Sequence, residues 1–143
     1  MISEKNVIRM KVPYPSINGD LALISHMYIC TGLTGNSKYE FVKCQTLKPY
    51  MIMSGIIKHY CDEKPDITRN PFTRATRIDC DKTFNSCQVE YDEKLLTSSR
   101  TDVCTDLFEE IKKELVNEGY EEILLNEAEL VSLNKLIKFG IIK

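Results

Sequence analysis

The feature that most constrains the fold is a pair of β-favouring runs, residues 27–30 and 38–44, joined by a polar segment. The first run is compact and mostly apolar, whereas the second alternates polar and apolar side chains. The segment between them is rich in Gly, Thr, Asn and Ser, which favour turns. This pattern predicts an antiparallel β-hairpin. Because the start of one strand then lies beside the end of the next, we expect His26 near Gln45 and Thr46.

Composition places the chain among ordinary globular proteins. Its 143 residues suit one domain, and 43% hydrophobic with 28% charged residues leaves enough apolar surface for a core. A net charge of −2 gives no overall attraction to nucleic acid, so any polyanion must bind a local patch. The sequence shows neither an apolar run of about 18 residues nor the apolar core of a signal peptide. We therefore expect a cytoplasmic protein that does not enter a membrane.

The six cysteines predict free thiols. They are widely spaced, no C-x-x-C pair occurs, and the chain has only two histidines. A structural zinc site requires close pairs of Cys or His. We expect reduced thiols that pack as small hydrophobic groups, and neither a metal nor another cofactor.

The first two thirds of the chain favour strands. Further strands are predicted over residues 6–12, 50–57 (with a bulge at Gly55), 73–80 and 87–91. Residues 21–24 fit either a strand or one helical turn, because periodicity does not distinguish them over four residues. Residues 59–69 are polar, contain Pro65 and are typical of a loop.

The last third favours helices. Apolar residues recur with helical spacing within residues 101–117, and Gly119 follows as a stop. A second helix is predicted over residues 127–139, after a capping-box pattern that begins at Asn126. Strands followed by helices predict an α+β, mainly β fold: a small twisted antiparallel β-barrel or curved sheet with C-terminal helices.

Three residues of the hairpin are candidates for chemistry. His26 is suited to general acid–base catalysis, and the alternative is a strand-edge histidine bonded to the backbone. The side chains of Gln45 and Thr46 can hold a phosphate, or they cap the end of a strand.

Four basic residues near the hairpin and the following loop are candidates for binding phosphates: Lys48, Arg69, Arg74 and Arg77. The alternative for each is solvated surface charge. Arg74 and Arg77 are an odd number of residues apart, so a regular strand would place them on opposite faces.

Three segments and a helix carry a resemblance to a known family. The segments are SHMYIC (25–30), FVKCQT (41–46) and IDCDKTF (78–84), and the predicted helix 101–117 follows them. Over residues 12–117 the chain resembles the PemK/MazF toxins of toxin–antitoxin modules. The chain departs from that family where His26 and Met27 replace its usual Arg-Pro pair. It also departs over residues 50–70, which are longer, and at the C-terminal end.

The resemblance implies a metal-independent endoribonuclease that cleaves single-stranded RNA, forms a homodimer and is bound by a cognate antitoxin. It implies a barrel domain over residues 1–118, to which we add a helical C-terminal appendage, residues 119–143. His26, Thr46 and Gln45 would be catalytic, and the four basic residues would bind RNA. The alternative function is a non-catalytic module that binds protein or nucleic acid, which the near-neutral charge and the missing Arg-Pro pair favour.

Overall fold

The computed structural model, which describes residues 2–34, 38–117 and 119–140, is an α+β fold with mainly antiparallel strands. This confirms the predicted α+β, mainly β class with antiparallel pairing. The described strands are β1 (Val7–Met10), β2 (His26–Thr34), β3 (Lys38–Thr46), β4 (Tyr60–Glu63), β5 (Thr76–Asp79), β6 (Lys82–Ser86), β7 (Val89–Tyr91), β8 (Glu121–Leu124) and β9 (Ile137–Phe139). The described helices are α1 (Asp20–Leu23), α2 (Pro49–Ser54), α3 (Thr105–Asn117) and α4 (Glu127–Leu133), with a 3₁₀ helix at Glu93–Leu95.

The strand β3 lies at the centre of a seven-stranded sheet. The sheet runs in the order β1-β2-β3-β5-β4, and β6 also pairs with β3. The first half of β3 pairs with β6 and its last residues pair with β5, so one long strand joins two parts of the sheet. β8 adds to β6 in parallel, and β7 with β9 forms a separate two-stranded sheet.

The predicted hairpin is confirmed. β2 and β3 pair in antiparallel fashion from Met27 opposite Cys44 to Thr34 opposite Lys38, with an irregularity after Cys30. β2 extends four residues into the segment that we predicted as a turn. The rest of that turn, residues 35–37, lies outside the described residues.

The central sheet is buried on both faces, and each face has its own core. Alternation along β2 and β3 sends successive side chains to opposite faces. One core joins the sheet to β7, β9 and α4 through Tyr28, Phe41, Phe84, Tyr91, Leu130 and Ile137. The other joins it to α3 through Ile29, Val42, Ile78, Leu107 and Ile111. Full burial of one such side chain contributes roughly 1.5–3 kcal/mol, so both faces are needed for stability.

The strand predicted over residues 50–57 is wrong, because this segment begins with the helix α2. Pro49 occupies the start of the helix, where its missing N–H costs nothing. Gly55 ends it in the left-handed conformation with φ of 62°, which glycine adopts without strain. Met51 is buried and most of the other apolar side chains are exposed, which fits a helix lying on the surface.

The helix predicted over residues 127–139 is wrong in its second half. α4 ends at Leu133, and β9 then pairs with β7. Before α4, the strand β8 (Glu121–Leu124) pairs with β6. The described part of residues 119–143 therefore supplies two strands and one short helix. β4 likewise lies inside the loop predicted over residues 59–69.

The six cysteines are free thiols. Three of them, Cys30, Cys44 and Cys80, are buried as small apolar groups, and burial raises the pKa of Cys30 to about 12. Among the described residues, no helix is long and apolar enough to cross a membrane.

Candidate functional site

A polar cleft of about 140 Å³ lies where β2 begins and β3 ends, and we call it the strand-end cleft. Two arginines, one histidine and four hydroxyl side chains border it, and none of the lining residues in the described ranges carries a carboxylate. Its lining residues are Arg9, Ser25, His26, Met27, Cys44, Gln45, Thr46, Phe72, Thr73, Arg74 and Thr76. The cleft therefore offers positive charge and hydrogen-bond donors, which are the groups that hold a phosphate.

Backbone pairing fixes the residues of the cleft relative to one another. The β2–β3 register ends with Met27 opposite Cys44, and its continuation by one residue places His26 opposite Gln45. On the other side of β3, Thr46 pairs with Thr76 of β5. The predicted proximity of His26 to Gln45 and Thr46 is thus confirmed, since all three border one cleft.

The last two residues of β3, Gln45 and Thr46, have different surroundings. Gln45 and Thr46 are consecutive, so their side chains leave the strand toward opposite faces of the sheet. Both border the strand-end cleft because it lies at the end of the sheet, where the two faces meet. Gln45 also borders a second cleft, which Thr46 does not.

His26 is half-buried and held by one hydrogen bond. Its Nδ1 lies 2.9 Å from the carbonyl oxygen of Ile24. A carbonyl oxygen can only accept a hydrogen bond, so Nδ1 of the neutral imidazole must carry the proton and donate it. The free lone pair then lies on Nε2. The backbone bond that a purely structural histidine would make therefore also leaves one ring nitrogen available as a base.

Arg9 and Arg74 supply uncompensated positive charge. Both are exposed, and neither guanidinium makes a hydrogen bond or an ion pair with any residue in the described part of the chain. The backbone oxygen of Arg74 accepts a hydrogen bond of 2.8 Å from the Thr76 hydroxyl, which fixes the chain just before β5. Two free guanidinium groups beside hydroxyls favour an oxyanion ligand.

Arg9 was not among the residues singled out from the sequence. The signal that identifies it is the burial pattern of β1, in which Arg9 is the one exposed residue among buried neighbours. It pairs with Met27, one residue from His26. The sequence shows a charged residue within an apolar run. Its closeness to His26 can be recognised only when the pairing of β1 with β2 is known.

The structure places Arg69 outside the strand-end cleft. Its guanidinium makes two hydrogen bonds to Glu63, of 3.0 and 3.2 Å, and one of 3.3 Å to Glu110. The hydrogen bonds to Glu63 raise the pKa of Arg69. This arginine links the end of β4 to α3.

Arg77 is also outside the cleft and is 3% exposed. It makes two hydrogen bonds of 2.8 Å to Asp62, and another of 3.0 Å to the carbonyl oxygen of Met51. Its guanidinium carbon lies 3.6 Å from the centre of the Tyr60 ring. Lys48 is exposed at the start of α2 and does not border the cleft. Of the four basic residues predicted to bind RNA, the cleft contains Arg74 alone.

The fold and the cleft define an α+β, mainly β protein with a small basic site at the end of its central sheet. In the described ranges there is no group of three or more His, Cys, Asp or Glu side chains that would hold a metal ion. The chain matches no known family model, no curated protein and no solved structure.

Proposed function

We propose that the strand-end cleft cleaves single-stranded RNA without a metal ion. The observation that carries the proposal is the set of groups that the described residues place at the cleft. Within that part of the chain these are two arginines without a partner, an imidazole with one free nitrogen, and no carboxylate. A phosphodiester is attracted by the arginines, and the described lining residues include no acidic side chain that would repel it.

The chemistry assigns a role to each group. Nε2 of His26 removes the proton of an RNA 2′-hydroxyl, and the 2′-oxygen attacks the adjacent phosphorus. The bond from phosphorus to the 5′-oxygen breaks, the 5′-oxygen takes a proton from water, and a 2′,3′-cyclic phosphate remains. Arg9, Arg74 and Thr46 stabilise the negative charge that grows on the phosphoryl oxygens. Each contribution of this kind is typically on the order of 10² to 10⁴ in rate.

The proposal includes the properties that the PemK/MazF resemblance implies. These are a toxin of a toxin–antitoxin system in the cytoplasm, a homodimer, a cognate antitoxin and a closed barrel. The antiparallel order β1-β2-β3 supports a curved sheet, and bridges from Ile8 to Leu96 and from Asn6 to Asp102 extend the pairing beyond β1. Growth arrest on expression, relieved by a small acidic protein encoded beside it, would support the toxin role.

The second candidate function is RNA binding without cleavage. Among the described residues that line the cleft, His26 is the one histidine and none is an Asp, Glu or Lys, so the described lining offers His26 no second residue of these types as an acid–base partner. A binding module on this fold would use the two arginines in the same way and leave the RNA intact.

The test is cleavage of a pool of single-stranded RNA in the presence of a metal chelator, with 2′,3′-cyclic phosphate ends as the readout. His26→Ala and Thr46→Ala are each expected to lower the rate by about 10² or more while the fold is retained. The double variant is expected to lose less than the product of the two, because the groups act as a unit. His26→Arg, which restores the basic residue of the family, is expected to retain more activity than His26→Ala.

Lys135→Ala is the matched control, because Lys135 is an exposed cation outside the cleft. It should cleave at the wild-type rate. Binding of RNA without cleavage by the wild-type protein would favour the binding module. Cleavage at the wild-type rate by both single variants would place the catalytic site elsewhere.

A further inference from the structure

A second cleft, of about 220 Å³, lies beside the strand-end cleft and shares Gln45 with it. We call it the lysine cleft after Lys43, which borders it together with Asp79. An apolar cavity of roughly 150 Å³ is enough to hold benzene, so the lysine cleft has room for one small ring. Apolar side chains form much of its wall: Tyr50, Met51, Ile56 and Ile57.

The central sheet fixes Lys43 and Asp79 relative to one another. The register that pairs Cys44 with Ile78 continues to place Lys43 of β3 opposite Asp79 of β5. Their side chains are 15% and 7% exposed. Oδ1 of Asp79 accepts the backbone N–H of Asp81 at 2.8 Å, which also fixes the orientation of the carboxyl.

The amine and the carboxyl lie close together without forming a hydrogen bond. Nζ of Lys43 is 3.9 Å from Oδ2 of Asp79, which is beyond hydrogen-bond distance. With residues of the described ranges, Nζ makes no hydrogen bond and Oδ2 accepts none. A carboxyl oxygen at this distance is too far from Nζ itself, but it is within reach of a hydroxyl on a carbon bonded to Nζ. The cleft therefore places an amine and an acid on either side of one reacting atom.

Burial favours the uncharged amine, which is the nucleophilic form of lysine. Loss of hydration lowers the pKa of Lys43, and the nearby charge of Lys82 acts in the same direction, whereas Asp79 opposes the shift by less. Loss of hydration also raises the pKa of Asp79, against the hydrogen bond from Asp81 and the charge of Lys43, and so favours its protonated form as a proton donor. Desolvation in a partly apolar cleft is one way in which proteins activate a lysine.

The charges of the lining favour an uncharged substrate. Lys43 and Lys82 are balanced by Asp79 and Asp81. Asp81 has partners of its own, since it accepts the backbone N–H groups at positions 58 and 59, at 2.8 and 2.9 Å. An anionic substrate would meet Asp79, and a cationic one would meet Lys43.

We propose that Lys43 is a nucleophilic lysine that forms a Schiff base with a small, uncharged aldehyde in the lysine cleft, with Asp79 as the proton donor. This activity is separate from the RNA cleavage proposed above, since no step uses His26, Arg9 or Arg74.

The reaction has two steps. Nζ of Lys43 attacks the carbonyl carbon of the aldehyde, an N–C bond forms, and one proton moves from nitrogen to the former carbonyl oxygen, which gives a carbinolamine. Asp79 then protonates the hydroxyl of the carbinolamine, which leaves as water while the nitrogen lone pair forms the C=N bond. The protonated imine remains beside the Asp79 carboxylate, so charge is balanced within the cleft.

The test is reductive trapping with benzaldehyde and cyanoborohydride, which reduces the C=N bond to a stable secondary amine. Peptide mapping by mass spectrometry then gives the rate at which each lysine is modified. Lys43 is expected to react about tenfold or more faster than the exposed Lys135, because it is desolvated and has an acid beside it. Equal rates at the two lysines of the wild-type protein would overturn the proposal without any variant.

Three variants test the roles of the charged groups. Lys43→Arg keeps the positive charge beside Asp79 and should remove the fast-reacting site. Asp79→Asn should slow the modification of Lys43 by about 10² or more, because the proton donor is lost. Lys82→Arg is the matched control, since Lys82 borders the same cleft, and it should leave the fast site in place. A fast-reacting lysine that persists in Lys43→Arg, or an unchanged rate at Lys43 in Asp79→Asn, would contradict the assignment.

A further pair of variants tests whether the aldehyde binds in the cleft before it reacts. Tyr50→Ala removes a ring, 60% exposed at the border of the cleft, against which benzaldehyde can pack. It should slow the modification of Lys43 about two- to tenfold at low benzaldehyde. Met53→Ala is the control, because Met53 also lies on α2, is 87% exposed and does not border the cleft. Equal rates in the two variants would contradict binding of the aldehyde in the lysine cleft.

Discussion

Arg74 and Arg77 lie three residues apart and have opposite surroundings. Arg77 is inside β5, where its guanidinium is enclosed by Asp62, Tyr60 and the carbonyl of Met51. Arg74 precedes the strand, is exposed and borders the strand-end cleft. The odd spacing predicts that the two point in different directions, but the acidic partner of Arg77 comes from a strand that the sequence did not indicate. One arginine therefore stabilises the fold, whereas the other is free to bind an anion.

We expect Arg77→Met to reduce stability far more than Arg74→Met. Loss of Arg77 leaves Asp62 without its partner, at a cost of about 2–3 kcal/mol, because Asp62 stays partly hydrated. Arg74→Met should change the free energy of unfolding by less than about 0.5 kcal/mol, since its guanidinium has no partner in the described chain. Urea denaturation measures both values. Equal stabilities of the two variants would contradict the distinction.

At the scale of elements, the turn between α4 and β9 depends on one buried side chain. Asn134 accepts the backbone N–H of Lys11 at 2.9 Å and donates to the carbonyl oxygen of the same residue at 2.7 Å. It also donates to the carbonyl of Leu130 at 2.8 Å, near the end of α4. These bonds hold the C-terminal segment against the chain that follows β1. The helix ends here because this tertiary contact satisfies its last groups.

We expect Asn134→Ala to lower the free energy of unfolding by about 2–3 kcal/mol, because three hydrogen bonds are lost and buried backbone groups lose their partner. Ser132→Ala is the control, since the one hydrogen bond of the Ser132 hydroxyl within the described ranges goes to the carbonyl of Glu129 in its own helix. The control should change stability by less than about 0.5 kcal/mol. Chemical denaturation measures the free energy of unfolding of both variants. If Asn134→Ala loses as little stability as Ser132→Ala, the turn forms without the Asn134 side chain.

At the scale of the whole molecule, the sheet is covered on both faces by different parts of the chain. α3 covers one face, and β7, β9 and α4 complete the core on the other. The C-terminal residues are thus part of the core of the protein, since Leu130 and Ile137 are 0% and 1% exposed. Removal of residues after Gly119 would expose that face of the sheet.

The homodimer that the PemK/MazF resemblance implies is a prediction at this scale. Two-fold symmetric dimers are the commonest soluble oligomers, and the proposed toxin role requires this one. Sedimentation velocity at micromolar concentration is expected to give twice the mass of the chain, which is 16.5 kDa. A monomer that persists as the concentration is raised would contradict the dimer and weaken the toxin role.

The sequence by itself determined the elements whose patterns are long and local. The hairpin of β2 and β3 follows from alternation and turn residues, and α3 follows from an apolar stripe within residues 101–117. The proximity of His26 to Gln45 and Thr46 also follows, because antiparallel pairing alone brings those strand ends together.

Only the tertiary structure decided the short segments and the partners of the charged residues. The segment at residues 50–57 is apolar enough for a strand, but Pro49 and Gly55 bound a surface helix that buries Met51. Residues 137–139 become a strand because β7 offers an edge with which to pair. Arg77 is enclosed because β4 pairs with β5 and places Asp62 opposite it. Arg74 precedes β5 and therefore stays exposed. Over four to eight residues, local preferences differ by less energy than one tertiary contact supplies, so distant parts of the chain decide the outcome.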